Sequence, residues 1–88
     1  MIGTTIFGGL DKKSAMEYID CLNRHLVDLK RANYNKKNGL TYNIPIRDNV
    51  DYPKKAKFFG YEKGDFEKTI SKLEIQISLE KSQLEMDE

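Results

Sequence analysis

Few residues in this chain have types and spacing that could do chemistry. Cys21 and His25 stand four apart in a stretch with helical periodicity, so one helix face can show both, and a thiol beside an imidazole is the minimal nucleophile-and-base pair. They are also the only cysteine and the only histidine. One of each cannot build a structural zinc site, and a single cysteine cannot close an internal disulfide. A packed Cys beside a partly exposed His on one helix explains the pair without chemistry. Glu17, Asp20, Glu67 and Glu74 fall at ordinary solvated helix positions, with no paired acids placed to shift one another. No glycine-rich phosphate-binding motif is present. The sequence therefore predicts no enzyme, no catalytic residue, no metal site and no cofactor.

The most distinctive local feature combines aromatic and basic residues. In the stretch from Tyr52 to Tyr61, Lys54, Lys55 and Lys57 precede Phe58, Phe59 and Tyr61. Lysines can meet anionic headgroups while aromatic rings enter the apolar boundary. The same rings could stack on single-stranded nucleic acid, or simply complete a core with the lysines as a solvated rim. Charge is uneven around this stretch. Residues 30–63 carry nine basic and three acidic groups, +6, whereas residues 64–88 carry three basic and seven acidic, −4, within a net charge of +1. The two blocks can neutralise each other within or between chains, or the basic one can attract phosphate.

Two amphipathic segments must position these residues. Residues 12–33 carry a seam at Ala15, Ile19, Leu22, Leu26 and Leu29. Residues 66–86 carry Phe66, Ile70, Leu73, Ile77, then the polar Glu80, then Leu84. Alternating steps of four and three define a coiled-coil stripe. Ile75 and Leu79 fall off it, so the second helix is expected to meet more than one neighbour. Asp11 can cap the first helix; for the second, Asp65 after Gly64 reads as the better cap, with a start at Glu62 as the alternative that keeps the repeat in register. Residues 34–57 form a connector in which Leu40, Tyr42, Ile44 and Ile46 alternate with polar residues, which suggests a short edge strand that Pro45 weakens.

The segments also form an internal repeat at an offset of 51. Residues 7–26 align with 58–77: Phe7 with Phe58, Gly9 with Gly60, Lys12 with Lys63, Ile19 with Ile70, Leu22 with Leu73. Each copy opens with an aromatic-x-Gly-apolar-acid-Lys lead-in, read as a glycine turn feeding a helix. The expectation is an all-α fold over residues 1–88, a single small domain of two long helices in a hairpin or coiled coil.

The run from Gly9 to Ile19 resembles the N-terminal motif of the DivIVA family, bacterial cell-division and polar-growth scaffold proteins. Gly9 and Asp11 match that motif directly, Glu17 supplies its acid, and Leu10, Ala15, Tyr18 and Ile19 stand in for its aromatic and aliphatic positions. The second copy, Gly60-Tyr61-Glu62-Lys63, restores the Tyr, then departs at Thr69. The resemblance implies a parallel coiled-coil dimer whose exposed turn touches membrane through an apolar and a basic residue. Phe58 or Phe59 would insert, with Lys54, Lys55 and Lys57 beside them.

With 39% hydrophobic residues and no Trp, the core is thin. Cores of this size rarely supply more than about 3–5 kcal/mol unaided, so self-association through the ten seam residues is expected. The predicted function is a non-enzymatic scaffold or adaptor: a homodimer that binds other proteins and contacts an anionic membrane surface through Lys54, Lys55, Lys57, Phe58, Phe59 and Tyr61. A small nucleic-acid-binding or regulatory protein using residues 30–63 is the alternative, and ranks behind it. Met1 to Phe7 has no basic, apolar-core pattern of a signal peptide, and a lone thiol fits a reducing compartment. The expected location is the cytoplasm, peripheral to the membrane.

Overall fold

A computed structural model describes residues 3–56 and 58–86, without the side chains of Ile6, Phe7, Phe58 and Phe59. The order is β1 (Thr4–Phe7), α1 (Lys12–Lys37), β2 (Phe58–Tyr61) and α2 (Lys63–Glu85). The two helices pack on each other, and the strands pair as an antiparallel ribbon at one end. The molecule measures 51 × 18 × 15 Å.

The helices run in the same direction. At the strand end, Phe66 of α2 packs with Leu10, Ala15 and Ile19. At the far end, Leu84 and Ile77 pack with Leu22, Leu26, Leu29 and Ala32. Parallel neighbours need a connector that travels back along them. A helix of 26 residues is about 39 Å long. A connector of roughly twenty residues reaches on the order of 60 Å when extended and about 30 Å as a helix, so it covers the return as open chain and not as a third helix.

That return explains the missing edge strand. Residues 40–46 carry no regular secondary structure and belong to no sheet ladder. Pro45 has no N–H to give, and the segment runs beside helices, which offer no free backbone edge. The sheet forms instead from the lead-ins read as turns. β1 and β2 pair with Thr4 opposite Tyr61, Thr5 opposite Gly60 and Phe7 opposite Phe58. Residues aligned by the repeat thus face each other at Phe7 and Phe58. Leu10 and Tyr61, also aligned, exchange backbone hydrogen bonds of 2.9 and 2.8 Å.

Local chemistry sets the ends. Gly8 and Gly9 take φ of 73° and 78° in the β1–α1 turn. Gly60 does not share that role: it lies in β2, and a Cβ there would stand 2.7 Å from the Leu10 carbonyl oxygen. Asp11 caps α1 by accepting the Ser14 N–H at 3.0 Å. Asp65 does not cap α2. Glu62, the alternative start, occupies that position without a side-chain cap bond, and Asp65 accepts the Gly3 N–H at 3.0 Å, tying β1's lead-in to α2. α1 passes residue 33, where the first segment was expected to end, and stops at Lys37. There Gly39 (φ 69°) lets its N–H reach the Lys36 carbonyl and the Leu40 N–H reach the Asn35 carbonyl, a Schellman closure.

Candidate functional site

The ten seam residues expected to join two chains form the interior of one. Ala15, Ile19, Leu22, Leu26, Leu29, Phe66, Ile77 and Leu84 are buried, and Ile70 and Leu73 pack partly buried against both clusters. The polar interruption at Glu80 has a partner. Asn33 Nδ2 donates to the Glu80 carboxylate at 2.7 Å and to its carbonyl at 2.9 Å. A buried amide that must find this acid fixes the register of the pair. Lys36 extends that lock by donating to the carbonyls of Gln83 (3.3 Å), Leu84 (3.1 Å) and Met86, which α2's own last turn lacks a cation to satisfy.

The connector fills the groove on one side of the helix pair. Tyr52 lies edge-on between Tyr18 and Phe66, with ring centroids 6.0 and 5.9 Å away. Its hydroxyl donates to Glu67 at 3.3 Å. The packed position and the Glu67 carboxylate hold the phenol above its ordinary pKa. Arg47 forks onto Glu74. Both partners remain well solvated, so the pair contributes little. Between connector and helices lies an open cleft of about 390 Å³ touching Tyr18, Cys21, Arg47 and Glu74.

Cys21 and His25 are both buried on this side of α1, where a partly exposed His was expected. The thiol donates to the Asp48 carbonyl at 3.6 Å, and no hydrogen bond joins it to His25. Desolvation, then Arg47, lowers the His25 pKa. Among the described residues, no three acids, cysteines or histidines gather to hold a metal ion, and no helix is long and apolar enough to cross a membrane.

The aromatic-basic stretch lies at the strand end. The Lys54 carbonyl accepts the Asp11 N–H at 2.7 Å, and the Lys54 N–H donates to Ser14 Oγ at 3.1 Å. The connector's end is thereby fastened to the β1–α1 turn, with the side chains of Lys54 and Lys55 exposed. Tyr61 is half-buried, with the Lys12 ammonium 5.6 Å from its ring centroid, in cation–π range. Lys57 lies outside the described residues. Phe58 and Phe59 are placed in β2 by backbone alone.

Sequence reasoning missed Asn33 as a structural residue and Ile46 as an exposed one. Glu80 breaking the apolar stripe signalled that a polar partner was needed. Ile46 is 92% exposed, although its alternating pattern suggests half of a sheet face. No family model matches the chain, and neither a curated protein nor a solved structure matches it.

Proposed function

We propose that this chain is a non-enzymatic scaffold or adaptor of the cytoplasm, which self-associates, binds other proteins, and rests its strand-capped end on an anionic membrane surface. One observation carries the reading. After the two seams close on each other, Ile46, Ile75, Leu79 and Met86 remain more than half exposed on the outer surfaces. A small protein that leaves such side chains in water has a surface to offer. Self-association uses that outer surface, because the seams are already occupied within the chain.

The membrane part of the proposal rests on Lys12, Lys13, Lys54 and Lys55, which converge on the strand end. Asp11, the acid nearest them by sequence, is spent on capping. The resemblance of residues 9–19 to the DivIVA motif points the same way, toward a scaffold of cell division or polar growth.

Co-sedimentation with vesicles tests the membrane part. Wild type should pellet with phosphatidylserine vesicles at low salt, more weakly as salt rises, and not with phosphatidylcholine vesicles. Lys54→Glu/Lys55→Glu, at exposed positions, should abolish pelleting while keeping the helix signal. Equal binding to both lipids, or none to either, would remove the membrane from the proposal.

A further inference from the structure

The outward side of α2 carries a second stripe, Lys68, Lys72, Ile75, Leu79 and Ser82, which the C-cap residue Met86 continues. Its steps are four, three, four, three, four, so it reads the same in both directions along the helix. This is coiled-coil spacing, displaced from the inner seam toward solvent. At its centre Ile75 and Leu79 are 61% and 63% exposed, and Met86 at its end is 62% exposed.

We propose that this face binds the same face of a second copy, with the two α2 helices antiparallel, giving a two-fold dimer with one intact helix pair in each chain. The proposal rests on the scaffold reading above and names the partner of its outer surface.

Charge selects this occupant and this direction. A parallel pairing would stack Lys68 on Lys68 and Lys72 on Lys72 across the interface, where like charges oppose association. Reversing one helix about the midpoint at residue 77 sets Ile75 against Leu79 of the other copy, Lys72 against Ser82, and Lys68 against Met86. Lys68 and Lys72 then flank Glu85 of the other copy, an exposed acid with no ion pair among the described residues. The flanking positions Ser71, Gln76 and Ser78 are neutral and polar, so no repulsive pair remains at the rim. The interface is isologous and closes at two copies.

Sedimentation velocity on the full chain, from about 1 µM to several hundred µM, tests the proposal. Wild type should pass from monomer to dimer across that range, and Leu79→Glu should remain monomeric with an unchanged far-ultraviolet helix signal. Lys68→Glu/Lys72→Glu should weaken the dimer at least tenfold, and adding Glu85→Lys should restore it. In a Cys21→Ser background, Gln76→Cys, next to the two-fold, should oxidise to a covalent dimer, and Thr69→Cys, far from it, should not. A wild type that stays monomeric throughout would overturn the proposal, as would a Leu79→Glu dimer as tight as wild type or cross-linking by both cysteines. Vesicle binding by the strand end is read separately, so a monomer that still pellets with phosphatidylserine would leave the membrane reading in place.

Discussion

α1 and α2 are similar in length and aligned by the repeat, yet one is wrapped and the other half bare. Among the described residues, nine positions of α1 are buried and three of α2. The connector accounts for much of the difference. It returns along the groove and covers Cys21 and His25, so α1 is shielded on its seam and on the adjacent side. α2 gives up its seam and keeps Ile75 and Leu79 in water. Two helices of related sequence thus become a core element and a presenting element through the path of one connecting segment.

Substitutions can break this comparison in order of size. Phe66, the largest fully buried side chain, holds the strand-end cluster and the Tyr18–Tyr52 contact. Phe66→Ala should cost about 3–5 kcal/mol, enough to unfold most of a domain this small in urea titration. Leu29→Ala on α1 should cost about 2–5 kcal/mol. Leu79→Ala on α2 should stay within about 0.5 kcal/mol in the same titration run at about 1 µM, where the chain is monomeric. Equal costs for those two leucines would erase the distinction between the helices. Asn33→Ala leaves the Glu80 carboxylate without its amide and should cost roughly 1–3 kcal/mol, with Glu80→Ala in the same background costing less than it does alone.

The pH response sharpens the same contrast, because among the described residues the perturbed groups that titrate at neutral pH or below, His25 and Asp11, lie on or beside α1. His25 has its pKa lowered by burial, so the unfolded chain binds its proton more readily. Stability should be full above about 6.5, the ordinary imidazole value, and fall as pH drops from there through the folded pKa. His25→Gln should flatten that part of a thermal-denaturation profile. Asp11 is held below its ordinary value first by the Ser14 N–H, so its contribution is present above about 3.8 and lost only as pH falls through its lowered folded value. Asp11→Asn should alter the strongly acid limb and leave the His25 limb unchanged.

The helices and their seams were legible because a 4-3 stripe encodes one buried face. The Gly8-Gly9 turn and the Asp11 cap were legible because both are local. The strands were not: Thr4–Phe7 and Phe58–Tyr61 are four residues each, Gly60 interrupts one, and only pairing across more than fifty residues makes them a sheet. Asp65 was assigned a cap because its distant partner, the Gly3 N–H, has no local signature. Helix direction was illegible as well, since a stripe carries no arrow. The basic-aromatic stretch was found by composition, and its fastening to the β1–α1 turn uses Lys54 backbone atoms, so it depends on no side chain of the stretch itself.

The central claim is that the two seams meet within one chain, running in the same direction. Nitroxide pairs measured by double electron–electron resonance, in a Cys21→Ser background diluted with unlabelled protein, test it directly. Labels at Lys37 and Glu85 should lie on the order of 10–20 Å apart, given neighbouring axes about 8–10 Å apart. Labels at Lys13 and Glu85 should be separated by more than about 30 Å, set by the rise along the helix. A short distance for Lys13 and Glu85, or loss of the Lys37–Glu85 distance on dilution with unlabelled chain, would contradict it.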